Sequence, residues 1–453
     1  MSTTSRPIPI CIVSLGCAKN LVDTEVMAGT LAQAGFALTP EPELARALLV
    51  NTCGFIKDAR TEAQDEIRKA LDWRAAAPRR RKVIVTGCLP QRDLPALHQR
   101  YPEVDLFLKL DDVPRIAEHL ARLFAGEATA PSPEATPSHP STWLYDHATP
   151  RLLLTPPTFA YVKIAEGCNH HCRFCAIPAI RGRQRSRAPE SVLRECRNLL
   201  AMDVKELNLI AQDTSSYGHD RQDGTTLASL LRDLDQLEGD FWLRLLYTHP
   251  KNLTPDLVET IAAARHLVPY LDMPLQHISD PMLKAMGRGL GARETRALLD
   301  TLRHAIPSLT FRTTFLVGYP GETAADFQEL LELVQSFRFD RLGVFSYSPE
   351  EGTPAARLTA GLVPPELAEE RRGRLMAAQQ AIALEKNQAL VGQTIRVLLD
   401  HAESARAWIG RTAGDAPDVD NRVRVHGAAP KGGFREVRIT AAEAYELEAT
   451  PAR

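Results

Sequence analysis

The stretch Cys168-Asn-His-His-Cys172-Arg-Phe-Cys175, at residues 168–175, places three thiols within eight residues. A closed zinc site takes four ligands, so three Cys leave it one ligand short unless His170 or His171 supplies the fourth. A [4Fe–4S] cluster normally takes four Cys, so a cluster held by these three keeps one iron open to a small molecule. The stretch therefore predicts a catalytic iron–sulfur cluster, with a zinc site as the alternative.

Strand and helix patterns alternate about six times over residues 151–387, in the middle of the chain. Short apolar runs predict strands at Ala160–Ala165, Lys205–Ala211, Trp242–Tyr247, Tyr270–Pro274, Phe311–Val317 and Leu342–Tyr347. Helical segments such as Pro189–Met202 lie between them, with Pro suited to the first helical turn. Six such units predict a partial (βα)6 barrel, whose active site lies at the carboxyl ends of the strands. The stretch 168–175 follows directly on the first strand.

The same alternation occupies residues 1–125. Apolar runs predict strands at Ile8–Leu15, Ala47–Asn51, Lys82–Thr86 and Val104–Leu108. Helices are predicted between them, for example over Asp23–Ala34 and Lys57–Trp73. This rhythm predicts an α/β domain with a parallel sheet and helices on both faces.

Three more Cys, namely Cys17, Cys53 and Cys88, each follow one of these N-terminal strands. The carboxyl ends of parallel strands meet at one edge, where open α/β sheets bind ligands. Each Cys has a neighbouring Gly, which lets the backbone approach a bulky group. A second three-Cys cluster with an open iron is predicted here, and three unrelated buried thiols are the alternative. The remaining Cys11 and Cys196 lie on a strand and on an apolar helix face, so we expect core packing.

The two remaining segments differ in character from the α/β parts. Residues 126–150 carry five Pro among Ala, Ser and Thr, which predicts an extended surface linker. Residues 388–453 contain short strands such as Thr394–Leu399 and Phe434–Ile439, separated by turns rich in Gly and Asp. They predict a small antiparallel β-barrel. This segment has nine Lys or Arg and nine Asp or Glu, so it is neutral.

The composition excludes several classes of protein. Of the 453 residues 44% are hydrophobic and 24% are charged, which excludes wholesale disorder, and the net charge of −2 argues against a basic nucleic-acid coat. No apolar run approaches the ~18 residues of a membrane-spanning helix. The apolar start at Ile8–Ala18 imitates a signal peptide, but a buried first strand is favoured because only one basic residue precedes it. We therefore expect a cytoplasmic protein whose Cys are thiols or metal ligands.

Together these features resemble the radical S-adenosylmethionine (SAM) superfamily, in which a Cys-x3-Cys-x2-Cys loop opens a six-unit βα domain. The strand-end Cys triad and a C-terminal barrel of the TRAM type are similar to the methylthiotransferases of that superfamily, over nearly the whole chain. The resemblance implies SAM and two [4Fe–4S] clusters as cofactors. The ligands it implies are Cys168, Cys172 and Cys175 for one cluster and Cys17, Cys53 and Cys88 for the other. It further implies that SAM is cleaved to a radical that abstracts hydrogen from an unactivated carbon, and that the second cluster supplies sulfur.

Two branches of the methylthiotransferases differ in substrate, one acting on an adenosine of transfer RNA and the other on an aspartate of a small-subunit ribosomal protein at the decoding centre. The segments 14–25, 210–214 and 271–277 resemble the ribosomal-protein branch. The transfer-RNA branch has Gln-Met after the first Cys, where this chain has Ala18-Lys19. The neutral barrel also weakens the transfer-RNA alternative, because a barrel that grips phosphate would carry surplus Lys and Arg. A non-catalytic, zinc-stabilised RNA-binding protein is the alternative from another class.

The resemblance also implies partners. It implies an electron donor such as flavodoxin or ferredoxin, a ribosomal protein that is modified free or on the ribosome, no membrane, and a monomeric enzyme.

Further candidates for cofactor binding are Phe174, Gln212 and Arg312. Phe174 precedes the third Cys of the stretch, and Gln212 and Arg312 lie near predicted carboxyl ends of strands. Each could equally be a packed or internally satisfied side chain, and no catalytic side chain is assigned. The basic run Arg181–Arg187 predicts a solvated loop, with contact to nucleic acid or to the SAM carboxylate as the alternative.

Overall fold

Two parallel sheets and one closed barrel make up most of the chain. The structure is a computed structural model that describes residues 7–77, 79–127, 139–427 and 431–452. The chain divides into two compact units. The first consists of Met1–Leu154, Glu166–His170 and Cys175–Arg185, and the second of Thr155–Ala165, His171–Phe174 and Ser186–Arg453.

Five strands form the sheet of the first unit. They are β1 (Pro9–Ser14), β2 (Ala37–Leu38), β3 (Ala47–Thr52), β4 (Lys82–Gly87) and β5 (Leu106–Phe107). All pairings are parallel and the order is β2-β1-β3-β4-β5. The bounds of β1, β3 and β4 agree with the predicted strands to within one residue, because continuous apolar runs mark strands that are buried on both faces.

Helices connect the strands of the first unit. They are α1 (Ala18–Gln33), α2 (Lys57–Ala75), α3 (Cys88–Arg100), α4 (Ile116–Ala125) and, later in the chain, α5 (Ile177–Arg181), with 3-10 turns at Pro42–Leu44 and Leu110–Arg115. The buried residues of α2 are Ala63, Ile67, Ala70 and Trp73, which recur every three or four positions. This stripe packs in one core with residues of β3 and β4. The predicted parallel-sheet α/β domain is confirmed.

The second half of the predicted linker, from residue 139 onward, has neither helix nor strand, whereas residues 128–138 lie outside the described residues. The hydroxyl of Ser141 donates a hydrogen bond to Asp111 Oδ1 over 2.9 Å, and Tyr145 is buried. This half is anchored to the first unit, and the prediction of an extended linker stays a prediction.

An open sheet of six parallel strands forms the centre of the second unit. In chain order its strands are β6 (Phe159–Lys163), β9 (Glu206–Ile210), β10 (Trp242–Leu245), β11 (Leu267–Asp272), β12 (Thr310–Val317) and β13 (Arg341–Ser346). Two strands of two residues each, β7 (Ala165–Glu166) and β8 (Arg185–Ser186), form a separate sheet. The order in the large sheet is β13-β12-β11-β10-β9-β6. All of its pairings are parallel.

A helix follows each of the later strands of this sheet. The helices are α6 (Pro189–Ala201), α7 (Leu227–Asp235), α8 (Pro255–Ala263), α9 (Asp280–Met286), α10 (Ala292–Ala305), α11 (Ala324–Phe337) and α12 (Pro365–Gln388), with 3-10 turns at Thr214–Ser216, Pro250–Asn252 and Ala355–Arg357. Thr226, Thr254 and Thr323 cap the amino ends of three of these helices. The predicted partial (βα)6 barrel is confirmed. No helix in the described ranges is long and apolar enough to cross a membrane.

The C-terminal residues form a closed five-stranded barrel, as predicted. Its strands are β14 (Thr394–Ser404), β15 (Ala407–Thr412), β16 (Arg422–His426), β17 (Gly433–Ala442) and β18 (Glu446–Pro451), in the order β14-β15-β16-β18-β17. Four pairings are antiparallel, and the pairing of β16 with β18 is parallel. The buried guanidinium of Arg411 pairs with Asp400 at 2.7 Å and with Glu206 of β9 at 2.6 Å. Buried ion pairs thus anchor the barrel to the sheet of the second unit.

Candidate functional site

Three Cys lie where neighbouring strands of the first unit end. Cys53 directly follows β3, and Cys88 directly follows β4 as the first residue of α3. Cys17 lies between β1 and α1, at the N-cap position of that helix. Because β1, β3 and β4 are adjacent and parallel, their carboxyl ends lie side by side. The fold therefore brings these three segments to one edge of the sheet, as the sequence predicts.

Glycines let these segments touch. Gly16 has a φ of +92°, and a Cβ on it would lie 2.9 Å from the Cβ of Cys53. A Cβ on Gly54 would lie 2.8 Å from the carbonyl carbon of Cys88. Any side chain at either position would push the Cys-bearing segments apart, so the close approach of the three segments depends on both glycines.

Buried amides hold the edge of the sheet in place. The Asn51 side chain, at the end of β3, donates to the carbonyl of Asn20 over 2.9 Å and to Thr24 Oγ1 over 2.8 Å. The Asn20 side chain in turn donates to the carbonyl of Leu15 over 2.7 Å. These bonds tie the segment before Cys17 to the strand that precedes Cys53.

The three thiols act on one another electrostatically. Burial raises the pKa of Cys53 to about 12, and the charges of Cys88 and Cys17 add to the increase. Burial also raises the pKa of Cys88, although Arg181 opposes it. Cys17 is the exposed thiol of the three. Desolvation acts to raise the pKa of Cys17, but the cations of Lys19 and Arg181 outweigh it, so the pKa is lowered. The three side chains thus share one electrostatic environment.

A buried guanidinium lies against the triad. Arg181, the last residue of α5, donates to Cys88 Sγ over 3.1 Å. It forms ion pairs with Asp23 at 2.8 Å and with Glu166 at 3.1 Å, and it donates to the side-chain oxygen of Asn20. Only 2% of Arg181 is exposed. The sequence did not predict this cation beside the strand-end Cys.

The prediction of a solvated loop for the basic run is therefore wrong at two positions. Arg181 is buried as described, and Arg187 is buried against Glu195, with its guanidinium donating to that carboxylate over 2.5 Å. Both arginines are accommodated inside the protein because carboxylates neutralise them. Neither guanidinium is presented to solvent.

The second Cys set lies in the loop between β7 and α5. Cys168, Cys172 and Cys175 are all partly buried. The amide of Cys168 donates to the carbonyl of Gly182 over 3.0 Å, and the amide of His170 donates to Cys168 Sγ over 3.4 Å. Cys168 and Cys175 belong to the first unit and Cys172 to the second. The sequence spacing keeps the three thiols in one short loop.

A second buried arginine contacts this set. Arg288, two residues beyond α9, donates to Cys172 Sγ over 3.3 Å and to the carbonyl of Pro274 over 2.6 Å. The side chain of Arg288 is 6% exposed. Each Cys set therefore has one thiol that accepts a hydrogen bond from a guanidinium.

Phe174 lies between Cys172 and Cys175 and packs into an apolar cluster. The cluster contains Met282, Met286, Tyr319 and Ala355. This packing accounts for the aromatic side chain, and its contact with a cofactor stays a prediction.

Gln212 lies just beyond β9, at the carboxyl end where it was predicted, and is partly buried. The adjacent Asp213 accepts bonds from the amide of Ser215 over 3.0 Å and from the side chain of Asn252 over 3.0 Å, and the hydroxyl of Ser216 also donates to it. These bonds fix the turn that carries Gln212. Its contact with the cofactor stays a prediction.

The predicted position of Arg312 is corrected by the structure. Arg312 is the third residue of the eight-residue β12, so it lies five residues before the carboxyl end. Its guanidinium pairs with Asp272 at 2.9 Å and with Asp420 at 3.3 Å. Although burial acts to lower it, the pKa of Arg312 is raised by these carboxylates and by Tyr270. Two carboxylates within the second unit thus pair with Arg312, and its contact with a cofactor stays a prediction.

Three family models match the chain in succession. The model described as uncharacterized protein family UPF0004 matches residues 9–109, the radical SAM superfamily matches residues 162–334, and the TRAM domain matches residues 391–451. The three matches fall on the first-unit sheet, the six-stranded sheet and the closed barrel.

Curated relatives match the chain over nearly its full length. A protein of Opitutus terrae named ribosomal protein uS12 methylthiotransferase RimO is 45% identical, over 98% of this chain and 97% of its own. A protein of Syntrophus aciditrophicus with the same name is 46% identical, over 98% of each chain. The chain belongs to the radical SAM methylthiotransferase family. Within it, the similarity is to the ribosomal-protein branch that the sequence motifs indicate.

Solved structures share the fold of this methylthiotransferase. The radical S-adenosylmethionine methyltransferase TsrM from Kitasatospora setae has a TM-score of 0.56 and 15% identity, over 82% of this chain and 85% of its own. The cobalamin-dependent radical enzyme OxsB has a TM-score of 0.53 and 12% identity, over 82% of this chain and 56% of its own. At this identity, the likeness shows the fold alone.

The cofactors of this methylthiotransferase family are SAM and [4Fe–4S] clusters. Among the residues that the structure describes, no three His, Cys, Asp or Glu side chains are arranged to hold a single metal ion. The fit to a larger cluster rests on the donors, because thiolates are the usual ligands of [4Fe–4S] clusters. At the strand-end triad, the close approach of the segments that carry Cys17, Cys53 and Cys88, at Gly16 and Gly54, supports a shared site. The Cys residues of the strand-end triad are therefore suitable ligands for a [4Fe–4S] cluster.

Sequence reasoning missed the polar partners of both Cys sets in the methylthiotransferase. Asp23 and Glu25 are fully buried on α1, beside the apolar Val22 and Val26. Acidic side chains on an apolar helix face signal a buried cation, and that signal could have led to Arg181. Arg288 had no such signal, because nothing around it in the sequence distinguishes it from a surface arginine.

Proposed function

We propose that this chain replaces a hydrogen on the β-carbon of an aspartate in ribosomal protein uS12 with a methylthio group. The observation that carries the proposal is the identity of 45% with a named uS12 methylthiotransferase over 98% of the chain. The three Cys-bearing strand ends and the Cys-x3-Cys-x2-Cys loop are the features that the branch would require.

In this proposal the two Cys sets hold separate clusters. Cys168, Cys172 and Cys175 would hold the cluster that binds SAM, and Cys17, Cys53 and Cys88 would hold the cluster that donates sulfur. When bound, SAM and the clusters supply the hydrogen-abstracting radical and the transferred sulfur. The chain itself positions the reactants and keeps water away, which the buried polar network around Asn51 supports.

The carboxyl ends of the six-stranded sheet would provide the SAM site. Asp213 fixes the turn after β9 through Ser215, Ser216 and Asn252, so Gln212 is presented from a rigid turn. Preorganised side chains of this kind cost little to order when a cofactor binds. Gln212 and Phe174 are the contacts that we propose.

The barrel would recognise a protein rather than RNA. Arg424 pairs with Glu403 at 2.9 Å and with Glu448 at 3.2 Å, and Arg422 pairs with Glu446 at 2.7 Å. These cations already have carboxylate partners, so they are poorly placed to neutralise phosphates. Binding of a basic ribosomal protein does not require surplus Lys and Arg on the barrel. No observation favours the transfer-RNA alternative.

The proposal also covers the organisation and setting of the enzyme. We propose three domains at residues 1–125, 151–387 and 388–453 with a connection at 126–150, a monomeric state, and action in the cytoplasm on uS12 that is free or on the ribosome. A one-electron donor of the flavodoxin or ferredoxin type would serve the reaction, because a SAM-binding cluster must be reduced before it acts.

The proposal is tested with anaerobically reconstituted protein, SAM, sulfide and dithionite, offered either uS12 or bulk transfer RNA. Mass spectrometry should find one added CH2S unit on an aspartate-containing peptide of uS12, and none when Cys172→Ala replaces the parent. Modification of transfer-RNA adenosine with none of uS12 would overturn the proposal. The full chain is needed, because removing the barrel would leave the buried carboxylate of Glu206 without Arg411 and the guanidinium of Arg312 without Asp420.

A further inference from the structure

The unusual feature of the strand-end triad is the cation buried beside it. Arg181 is 2% exposed, and its guanidinium donates to Cys88 Sγ over 3.1 Å. A buried charge is costly unless it is paired, so this arginine is retained with two carboxylates rather than left to solvent. The hydrogen bond to the sulfur is a further contact that the two ion pairs do not require.

The position of Arg181 in the chain links it to the other Cys set. The helix α5 begins two residues after Cys175 and ends at Arg181. Its N-cap residue Ala176 and its residue Ile180 pack in one buried cluster with Cys88 and Leu110. A single short helix therefore leads from a thiol of the loop set to a guanidinium on a thiol of the strand-end set.

The charges around Arg181 oppose one another. The guanidinium is 2.8 Å from Asp23 and 3.1 Å from Glu166, and both carboxylates are buried. A cluster held by the triad would gather the negative charge of three thiolates and inorganic sulfide, and one-electron reduction would add one more unit of charge. A cation that donates to a ligating sulfur stabilises the reduced state, and nearby carboxylates destabilise it.

We propose that Arg181 is a positioning residue that holds the Cys88 ligand and raises the reduction potential of the cluster at Cys17, Cys53 and Cys88, and that Asp23 and Glu166 limit this increase. The inference rests on the proposed assignment of a cluster to this triad. According to this inference, the reduction potential of that cluster depends on Arg181, Asp23 and Glu166, none of which is a ligand of the cluster.

A purely structural role for Arg181 predicts something different. If the arginine only neutralises Asp23 and Glu166, then changing any of the three residues loosens the same contacts in the same way. If the arginine sets the potential, removing the cation and removing a carboxylate must shift the potential in opposite directions. The sign of the shift therefore separates the two roles.

The test uses the full chain with Cys168, Cys172 and Cys175 changed to Ala, so that only the strand-end triad can hold iron. After anaerobic reconstitution, iron and acid-labile sulfide are measured, and a dithionite titration followed by electron paramagnetic resonance gives the reduction potential. Absence of iron from this parent would contradict the cluster assignment of the proposed function and, with it, the role of Arg181.

With iron bound to the parent, Arg181→Gln should shift the potential to more negative values, and Asp23→Asn and Glu166→Gln should shift it to more positive values. Arg181→Lys should stay closer to the parent, because it keeps the charge and loses only the planar guanidinium. If Arg181→Gln binds no iron, the two carboxylate variants decide the outcome. An unchanged potential in them, or a shift in the same direction for all variants, would overturn the role proposed for Arg181 and leave the cluster assignment intact.

Discussion

The two Cys sets are assembled in different ways. The loop set at Cys168, Cys172 and Cys175 lies within eight residues, so sequence spacing alone brings its thiols together. The strand-end set joins residues 17, 53 and 88, which meet only because β1, β3 and β4 are neighbours in one parallel sheet. The strand-end set therefore depends on the packing of the first-unit sheet, whereas short sequence spacing brings the loop set together.

The arginines beside the two sets differ in a second way. Arg181 is paired with two carboxylates, whereas Arg288 contacts Cys172 and the carbonyl of Pro274. Among the described residues, no Asp or Glu lies within ion-pairing distance of Arg288. The positive charge is thus offset at the strand-end set and not at the loop set. The two clusters that we propose would therefore lie in different electrostatic settings.

The largest expected effect follows from removing a ligand of the loop set. Cys172→Ala should abolish both SAM cleavage and methylthiolation, because a cluster held by two thiols loses its place for SAM. The measurement is chromatography of 5′-deoxyadenosine together with mass spectrometry of uS12. Cys196→Ala is the control, since that buried thiol lies on α6 and should retain both activities. Substantial SAM cleavage by Cys172→Ala would contradict the assignment of the loop set.

The iron content separates the two sets directly. Changing Cys17, Cys53 and Cys88 together to Ala should halve the iron bound after anaerobic reconstitution, if each set holds one [4Fe–4S] cluster. Cys11→Ala is the matched control, because Cys11 lies in the same sheet but packs in its core. Equal iron in the triple variant and the control would contradict the proposal that Cys17, Cys53 and Cys88 hold a cluster.

The side chains of Asn51, which is buried, and Asn252, which is partly buried, allow each Cys set to be disturbed separately. Asn51→Ala removes the bonds that tie β3 to α1, and the unmet polar groups should cost ~1–3 kcal/mol in the free energy of unfolding. Iron at the strand-end set should fall while SAM cleavage continues.

Asn252→Ala removes the bond to Asp213 and should weaken SAM cleavage while the strand-end iron stays. Urea unfolding and iron analysis measure both variants, and a loss of both functions in either one would show that the sets are not independent.

The smallest expected effect concerns Arg288. Arg288→Gln removes the cation beside Cys172 and should slow SAM cleavage severalfold at a fixed dithionite concentration, because reduction of the loop cluster becomes less favourable. The potential of the strand-end cluster should not change. Arg288→Lys should recover part of the rate. Full activity of Arg288→Gln would show that the hydrogen bond to Cys172 has no electrostatic role.

Much of the fold could be predicted because buried parallel strands are continuous apolar runs. The bounds of β1, β3 and β4 differ from prediction by at most one residue at each end. The two-residue β2 was missed, since Ala37-Leu38 is too short to show a pattern. The closed barrel was predicted from its turns, but the parallel pairing of β16 with β18 depends on how the chain crosses the barrel, which the turns do not determine.

The Cys of the candidate site could also be predicted, whereas their polar neighbours could not. Arginine is usually exposed, so the sequence around Arg181 and Arg187 gives no sign that these two side chains are buried. Their carboxylate partners lie on other elements, with Asp23 on α1 pairing with Arg181 and Glu195 on α6 pairing with Arg187. Arg312 was assigned to the wrong end of its strand, although the predicted strand Phe311–Val317 already begins only one residue before it. Which side chains form ion pairs, and how deeply they are buried, depends on how the chain packs.

Cys53→Ala separates the two tasks that we propose for the two Cys sets. The variant is assayed under dithionite for 5′-deoxyadenosine and for methylthiolated uS12, with circular dichroism as a check on folding. We expect a folded Cys53→Ala to continue to form 5′-deoxyadenosine and to yield no methylthiolated uS12. Full product from Cys53→Ala would contradict the sulfur-donating role of the strand-end set, and loss of SAM cleavage in the folded variant would contradict the separation of the two tasks.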